Sequence, residues 1–171
     1  MKKVTILLTF IFSLAFIFPI YSNEKKNISN EHEFSFYTGM FDFSDDGQRA
    51  TLVGIKHQNE SLKRKSFLGT LSPITGFIIT ENNAQYFYTG VQAQYKIGKL
   101  NVVPSFTPGL YGKGDGKDLG HVVEFKSEVQ LSFDLFSDSE LGFSYNHISN
   151  ASLGKKNPGA NNYMFNFIKQ F

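Results

Sequence analysis

The sequence predicts an all-β protein: an eight-stranded antiparallel up-and-down barrel that crosses the bacterial outer membrane with its strands. Three observations carry this. From Glu33 onward the chain divides into eight strand-like runs separated by turn-type residues. Where the pattern is clearest, apolar and polar residues alternate with period two, so each strand has one apolar and one polar face. Several runs reach about ten residues, the length a tilted strand needs to cross a bilayer, and the chain opens on an export-type segment.

That segment comes first. Lys2 and Lys3 precede an unbroken apolar run from Val4 to Ile20, and Tyr21-Ser22-Asn23 follow. Residues 1–22 therefore read as a secretory signal peptide cleaved after Ser22. The rival reading is an uncleaved anchor, for which the run is close to the lower limit of about 17–25 residues. Residues 23–32 form a short linker and 33–171 the barrel. No second apolar run of that length exists, so the mature chain has no helix with which to span a membrane.

Removal of the segment takes away Lys2 and Lys3 and leaves fifteen basic residues facing fifteen acidic ones. Net charge therefore gives no argument for a nucleic-acid partner. There is no cysteine, which excludes a disulfide scaffold. The mature chain is one domain's worth, about 150 residues.

The predicted strands are 33–42, 50–57, 66–80, 84–96, 99–110, 121–135, 139–149 and 161–171, joined through SDDGQ, QNESLK, ENN, IGK, GKGDGK, SDSE and GKKNPG. In the sixth, Val123, Phe125, Val129, Leu131, Phe133 and Leu135 share one face, opposite Glu124, Lys126, Glu128, Gln130, Ser132 and Asp134. In the eighth, Tyr163, Phe165, Phe167 and Phe171 share a face, with Lys169 the exception. A soluble sandwich or barrel turns such an apolar face inward. A membrane barrel turns it outward to lipid and keeps polar groups in the lumen. Export, strand length, an even strand number and an aromatic last strand ending on Phe171 favour the membrane version. Trp is absent; Tyr37, Tyr86, Tyr88, Tyr95, Tyr111 and Tyr163 are the candidates for interfacial aromatic belts.

Parity then fixes sides. Eight strands return both termini to the periplasmic side, so the seventh runs outward and the loop 150–160 lies at the cell surface. IGK and SDSE become the short periplasmic turns. QNESLKRK is long for that side, and ENN is short for the outside.

On the seventh strand Leu141, Phe143 and Tyr145 face lipid, and steps of two lead to His147 and Ser149. On the eighth, steps back from Phe167, Phe165 and Tyr163 lead to Asn161. All three polar residues fall on the outer face at the external rim of neighbouring strands, where opposed Cβ atoms stand about 4.5–5.5 Å apart. Plain rim polarity is one reading, since it costs only about 0–1 kcal/mol. The other is chemical. A Ser hydroxyl beside an imidazole is the nucleophile and general-base pair of acyl transfer. Facing outward at the outer leaflet, it has the acyl chains of a lipid as its substrate class.

The run HISNASLGKKNPGANN, residues 147–162, resembles the His-x-Ser-Asn-Ala…Asn-Pro-Gly signature of the PagL-type lipid A 3-O-deacylases, also called acyloxyacyl hydrolases. LGHVVEFKSEVQLSF, residues 119–133, is similar to that family's penultimate region. The match covers the last third of the chain. The resemblance implies an eight-stranded outer-membrane barrel with a Ser-His site at its outer surface. It implies lipopolysaccharide, through its lipid A, as substrate, and hydrolysis of the ester-linked 3-hydroxyacyl chain at the 3-position, with no cofactor and no metal. By the same resemblance Ser149 is the nucleophile, His147 its general base and Asn150 the oxyanion donor. The Asn150 side chain leaves the strand with the opposite parity, so its backbone N–H is an equal alternative.

One position departs from the family, which places a Glu just after the Asn-Pro-Gly turn. Here Ala160-Asn161-Asn162 stand there. The Asn161 carbonyl oxygen has the parity to accept an imidazole N–H, as in Cys-His-Asn enzymes, but it does not offset an imidazolium charge. Among acids considered in place of the Glu, Glu124 has lumenal parity and Glu140 sits at the far end of the seventh strand. Asp115 and Asp118, on an external loop, stay open. His121 shares outward parity with Val123 and reads either as an interfacial His or as a substrate-binding residue. Lys155 and Lys156, with Lys113 and Lys117, lie on external loops, either attracting lipid A phosphates or simply solvated. Gly112 to Gly116 lack the strand-to-helix setting of a phosphate loop. His32 and His57 are too separated for a metal site. The competing functions are a non-catalytic barrel for anchoring or adhesion and a soluble barrel binding an apolar ligand. The sequence does not fix the oligomeric state.

Overall fold

The computed structural model describes residues 32–171; the expected signal peptide and most of the linker lie outside the described residues. Eight long strands follow one another: β1 (His32–Phe41), β2 (Ala50–Asn59), β3 (Gly69–Thr80), β4 (Gln85–Ala93), β5 (Leu100–Gly112), β6 (Val123–Phe136), β7 (Ser139–Ser149) and β8 (Ala160–Gln170). Each pairs antiparallel with the next. β1 closes on β8, from Glu33 opposite Gln170 to Met40 opposite Tyr163. The result is a closed eight-stranded barrel with no free sheet edge. The predicted strands match in number and order, and the seventh coincides end to end.

Two boundaries shift for local reasons. The long QNESLKRK connection is built rather than loose. A 3-10 turn, Glu60–Leu62, is capped by the Asn59 side chain on Ser61 N–H, and a short strand, Arg64–Ser66, folds back on Leu71–Gly69. The fourth run breaks at Gln94, with Tyr95–Ile97 pairing Leu100–Val102 across the Gly98 turn.

The alternation does what the pattern demands. Phe36, Phe87, Phe106, Phe133, Phe143 and Phe165 are exposed around the outside. An exposed apolar band around most of the barrel is stable only against lipid. The lumen is packed with polar groups, many of which bond one another. Lys126 Nζ pairs with Glu128 Oε2 at 2.9 Å and lies 4.1 Å from the Tyr88 ring centroid. Lys56 Nζ donates to Gln92 Oε1 and Gln130 Oε1, each at 3.1 Å. Asn162 donates to Asn146 at 2.7 Å, and Asn166 to Ser144 at 3.1 Å. Mutual satisfaction offsets the cost of desolvating these groups, and a barrel of this size is filled by its own side chains.

The belt assignment of the tyrosines needs correction. Tyr37, Tyr86, Tyr88 and Tyr111 are buried in the lumen. For the first three the reason is glycine. Tyr37 lies over Gly54, Tyr88 over Gly76 and Tyr86 over Gly109, where a Cβ would stand 2.6 Å from Tyr86 Cε2. The ring of one strand fills the space a missing side chain leaves on the next. Tyr37 and Tyr88 join hydroxyls at 2.9 Å, and Tyr86 donates to Thr107 O at 2.9 Å. Tyr163 does face outward, packed by Phe43 and Phe143.

His32 and His57 also differ from expectation. The β1–β2 hairpin places His57 opposite Phe34, diagonal to His32, so the His32 and His57 rings stack with centroids 5.2 Å apart and His32 Nδ1 lies 3.0 Å from His57 Nε2. Sequence separation was the wrong measure across a hairpin. Among the described residues no third metal-type ligand joins them.

Candidate active site

The outward ends of β6, β7 and β8 form the site. β8 sets Asn161 opposite His147 and Tyr163 opposite Tyr145. β6 sets Ser127 opposite His147 and Phe125 opposite Ser149. His147, Ser149 and Asn161 are all half-buried on the outer face, where the alternation puts them. His147 Nδ1 lies 2.8 Å from Asn161 Oδ1. Tyr145 OH donates to the same oxygen at 2.8 Å. Ser149 is two residues along the strand from His147, about 7 Å between Cα atoms at strand rise. Its Oγ makes no hydrogen bond among the described residues.

The opposite edge of the imidazole rests on the turn that precedes β8. Gly159 has φ +64°, and a Cβ there would stand 2.7 Å from His147 Cε1 and 3.1 Å from Nε2. Only glycine both takes this backbone conformation readily and leaves the ring its place.

Asn150 is engaged within the surface loops. Its side chain is fully buried and turned away from the outer face. Nδ2 donates to Leu119 O at 2.8 Å and Lys156 O at 2.9 Å, and Oδ1 accepts Ser152 N–H at 2.9 Å. Its backbone N–H donates to Asn157 Oδ1 at 3.1 Å. Asn150 and Asn157 thus tie the surface loop to itself. Beyond them Ala151 and Ser152 both take left-handed conformations, φ 52° and 69°. Such conformations are uncommon for residues with a side chain and concentrate at functional turns.

The other expected residues separate. His121 precedes β6 and folds back on its own strand, Nδ1 accepting Val123 N–H at 3.0 Å; it makes no hydrogen bond to Ser149. Lys156 Nζ pairs with Asp118 Oδ2 at 2.8 Å. That bond, helped by Gly120 N–H, holds the Asp118 carboxyl below its usual range. Lys155 is exposed and forms no ion pair among the described residues. Glu124 lies in the lumen, as its parity requires, and Glu140 is buried there with Asn101 Nδ2 and Ser132 Oγ on its Oε2.

Two residues the sequence reading overlooked complete the site, both from the loop after β1. Asn161 Nδ2 donates to Ser44 Oγ at 2.9 Å, and Ser44 Oγ donates to Asp42 Oδ1 at 3.3 Å. The same carboxylate oxygen accepts Asn161 N–H at 3.3 Å, and Lys117 pairs with Oδ2. Barrel closure was the available signal: it brings the end of β1, and with it the run FDFSDD, beside the start of β8.

A family model described as "Lipid A 3-O-deacylase (PagL)" matches residues 37–169. No curated protein matches the chain. Among solved structures, the chain is similar to that reported as "Crystal structure of the outer membrane enzyme PagL". The identity is 15% and the TM-score 0.61, over 81% of this chain and 99% of that one. It is also similar to a structure from "De novo design of transmembrane beta-barrels", at 10% identity and a TM-score of 0.56, over 87% and 100% of the two chains. At these identities the structural likeness is one of fold.

Proposed function

Because the chain belongs to the lipid A 3-O-deacylase family, we propose that it is an outer-membrane serine esterase that removes the ester-linked 3-hydroxyacyl chain from the 3-position of lipid A. The observation that carries this is the His147–Asn161 hydrogen bond on a lipid-facing rim, with Ser149 one step further out on the same face. Residues 1–22 are assigned the role of cleaved export signal.

The chemistry follows from the side chains. His147 Nε2 takes the Ser149 Oγ proton as Oγ attacks the ester carbonyl. The tetrahedral intermediate collapses to an acyl-enzyme, and the imidazolium returns the proton to the departing sugar oxygen. His147 then activates a water, which releases the free 3-hydroxy fatty acid and restores Ser149. Proton transfer of this kind contributes about 10²–10⁴-fold. With Asn150 engaged in the loop and the Ser152 N–H donated to Asn150 Oδ1, oxyanion stabilisation falls to the Ala151 N–H. Nucleophile–base hydrogen bonds are often long or poorly aligned in unliganded sites, which accords with Ser149 Oγ having no partner. Lys113 and Lys155 are exposed loop cations open to a lipid A phosphate.

Purified protein in detergent micelles, given lipid A, is expected to release one free 3-hydroxy fatty acid and leave a free hydroxyl at the 3-position. Absence of release, or the acyl chain found on another lipid, contradicts the reading. Gly159→Val adds a side chain against His147 Cε1 and forces the ring aside; a 1 Å misplacement can cost about 10²-fold. Its deacylation rate is expected to fall by about that much while heat-modifiable gel mobility is retained.

A further inference from the structure

We propose that Asp42 is the positioning residue of this site: through Ser44 and Asn161 it sets the direction of a hydrogen-bond chain that keeps the proton on His147 Nδ1 and leaves Nε2 free as the base. The proposal rests on the serine esterase reading above and says how Asn161 fills a position where the family has a carboxylate.

The argument is one of donors and acceptors. An ionised carboxylate only accepts. Asp42 Oδ1 therefore takes the Ser44 hydroxyl proton, at 3.3 Å. With its proton committed, Ser44 Oγ must accept from its other neighbour, and Asn161 Nδ2 donates to it at 2.9 Å. This orients the Asn161 amide, whose Oδ1 then faces His147 Nδ1 at 2.8 Å. A carbonyl oxygen only accepts, so the proton belongs to Nδ1. A flipped amide would present Nδ2 to the imidazole and drive the proton to Nε2, which removes the base. Nothing else at the site decides between the two orientations. Tyr145, 2.8 Å from Oδ1, has a hydroxyl that suits either.

Asp42 is held for this task. It is buried and takes φ 49°, a conformation that Asp tolerates better than most residues. Its N–H donates to Asn162 Oδ1 at 2.8 Å. Lys117 pairs with the other carboxylate oxygen, which keeps a cation beside the charge. Three parts of the chain, the loop after β1, the loop before β6 and the start of β8, meet at this one side chain.

The test uses full-length, ¹⁵N-labelled protein in detergent micelles. Long-range ¹H–¹⁵N correlation spectra read the His147 tautomer directly, without turnover. Wild type is expected in the Nδ1–H form. Asp42→Asn and Ser44→Ala are each expected to populate the Nε2–H form. Asn161→Glu added to Asp42→Asn restores Nδ1–H, because a carboxylate at 161 only accepts. Deacylation follows the same order: a fall of about tenfold or more in the two single variants, since a wrong tautomer disables the base, and recovery in the double. Ser44→Ala leaves the Lys117–Asp42 pair in place, so it reports on the chain without loosening the loop. If both single variants keep the wild-type tautomer, or if Asn161→Glu fails to restore it, the proposal is overturned. A tautomer that depends on Asp42 in a protein that never deacylates lipid A would sink the esterase reading and leave this one standing.

Discussion

Ser149→Ala is expected to abolish deacylation while leaving the barrel intact. The hydroxyl supplies the bond-forming electron pair, so its loss removes the covalent route. The rate should fall by about 10³-fold or more, with only binding and backbone polarisation left to act. Stability should move by less than about 0.5 kcal/mol, because Ser149 is only half-buried and its Oγ holds no hydrogen bond among the described residues. His147→Ala should cost nearly as much, and the double variant little more than either, as happens when nucleophile and base act as a unit. Initial rates on lipid A in micelles check the size of the loss. A serine-directed organophosphonate checks its cause: wild type should gain one adduct mass and Ser149→Ala none. An adduct that persists in Ser149→Ala would place the nucleophile elsewhere.

The largest expected effect on stability lies in the lumen. Lys126→Met leaves the buried Glu128 carboxylate without the cation 2.9 Å from it and removes the contact with the Tyr88 ring. Breaking one side of a buried pair costs about 3–5 kcal/mol. Here the lower end is expected, because Asn146 Nδ2 also reaches Glu128, at 3.4 Å, and Lys56 stands nearby. Urea unfolding of the protein in micelles, followed by the loss of heat-modifiable mobility, gives the shift. Adding Glu128→Gln to Lys126→Met should recover much of it, since removing both charges of a buried pair is often close to neutral. A double variant no more stable than the single would mean that packing, not charge, dominates there.

The strands were legible because period-two alternation survives in every wall of the barrel. Leu141, Phe143 and Tyr145 pointed the way to His147 and Ser149 by parity alone, and Tyr163 did the same for Asn161. The destination of most tyrosines was not legible. Tyr37, Tyr86 and Tyr88 fill gaps at glycines on the neighbouring strand, and that depends on cross-strand register, which a one-dimensional pattern does not carry. Asn150 illustrates a related limit. Parity showed that its side chain leaves the outer face, but not that Leu119 O, Lys156 O and Asn157 would consume its polar groups. Asp42 was missed because the acids weighed as replacements, Asp115, Asp118, Glu124 and Glu140, all come from the second half of the chain. Closure brings together residues more than a hundred positions apart, as Asp42 and Asn161 are.

The most direct measurement is mass spectrometry of lipid A from cells that express the wild-type protein, beside cells expressing Ser149→Ala or His147→Ala barrels that still insert. The expected result is loss of one 3-hydroxyacyl mass from lipid A with the wild type and with neither variant. Unchanged lipid A in all three would contradict the account and leave an outer-membrane barrel whose rim performs no ester chemistry.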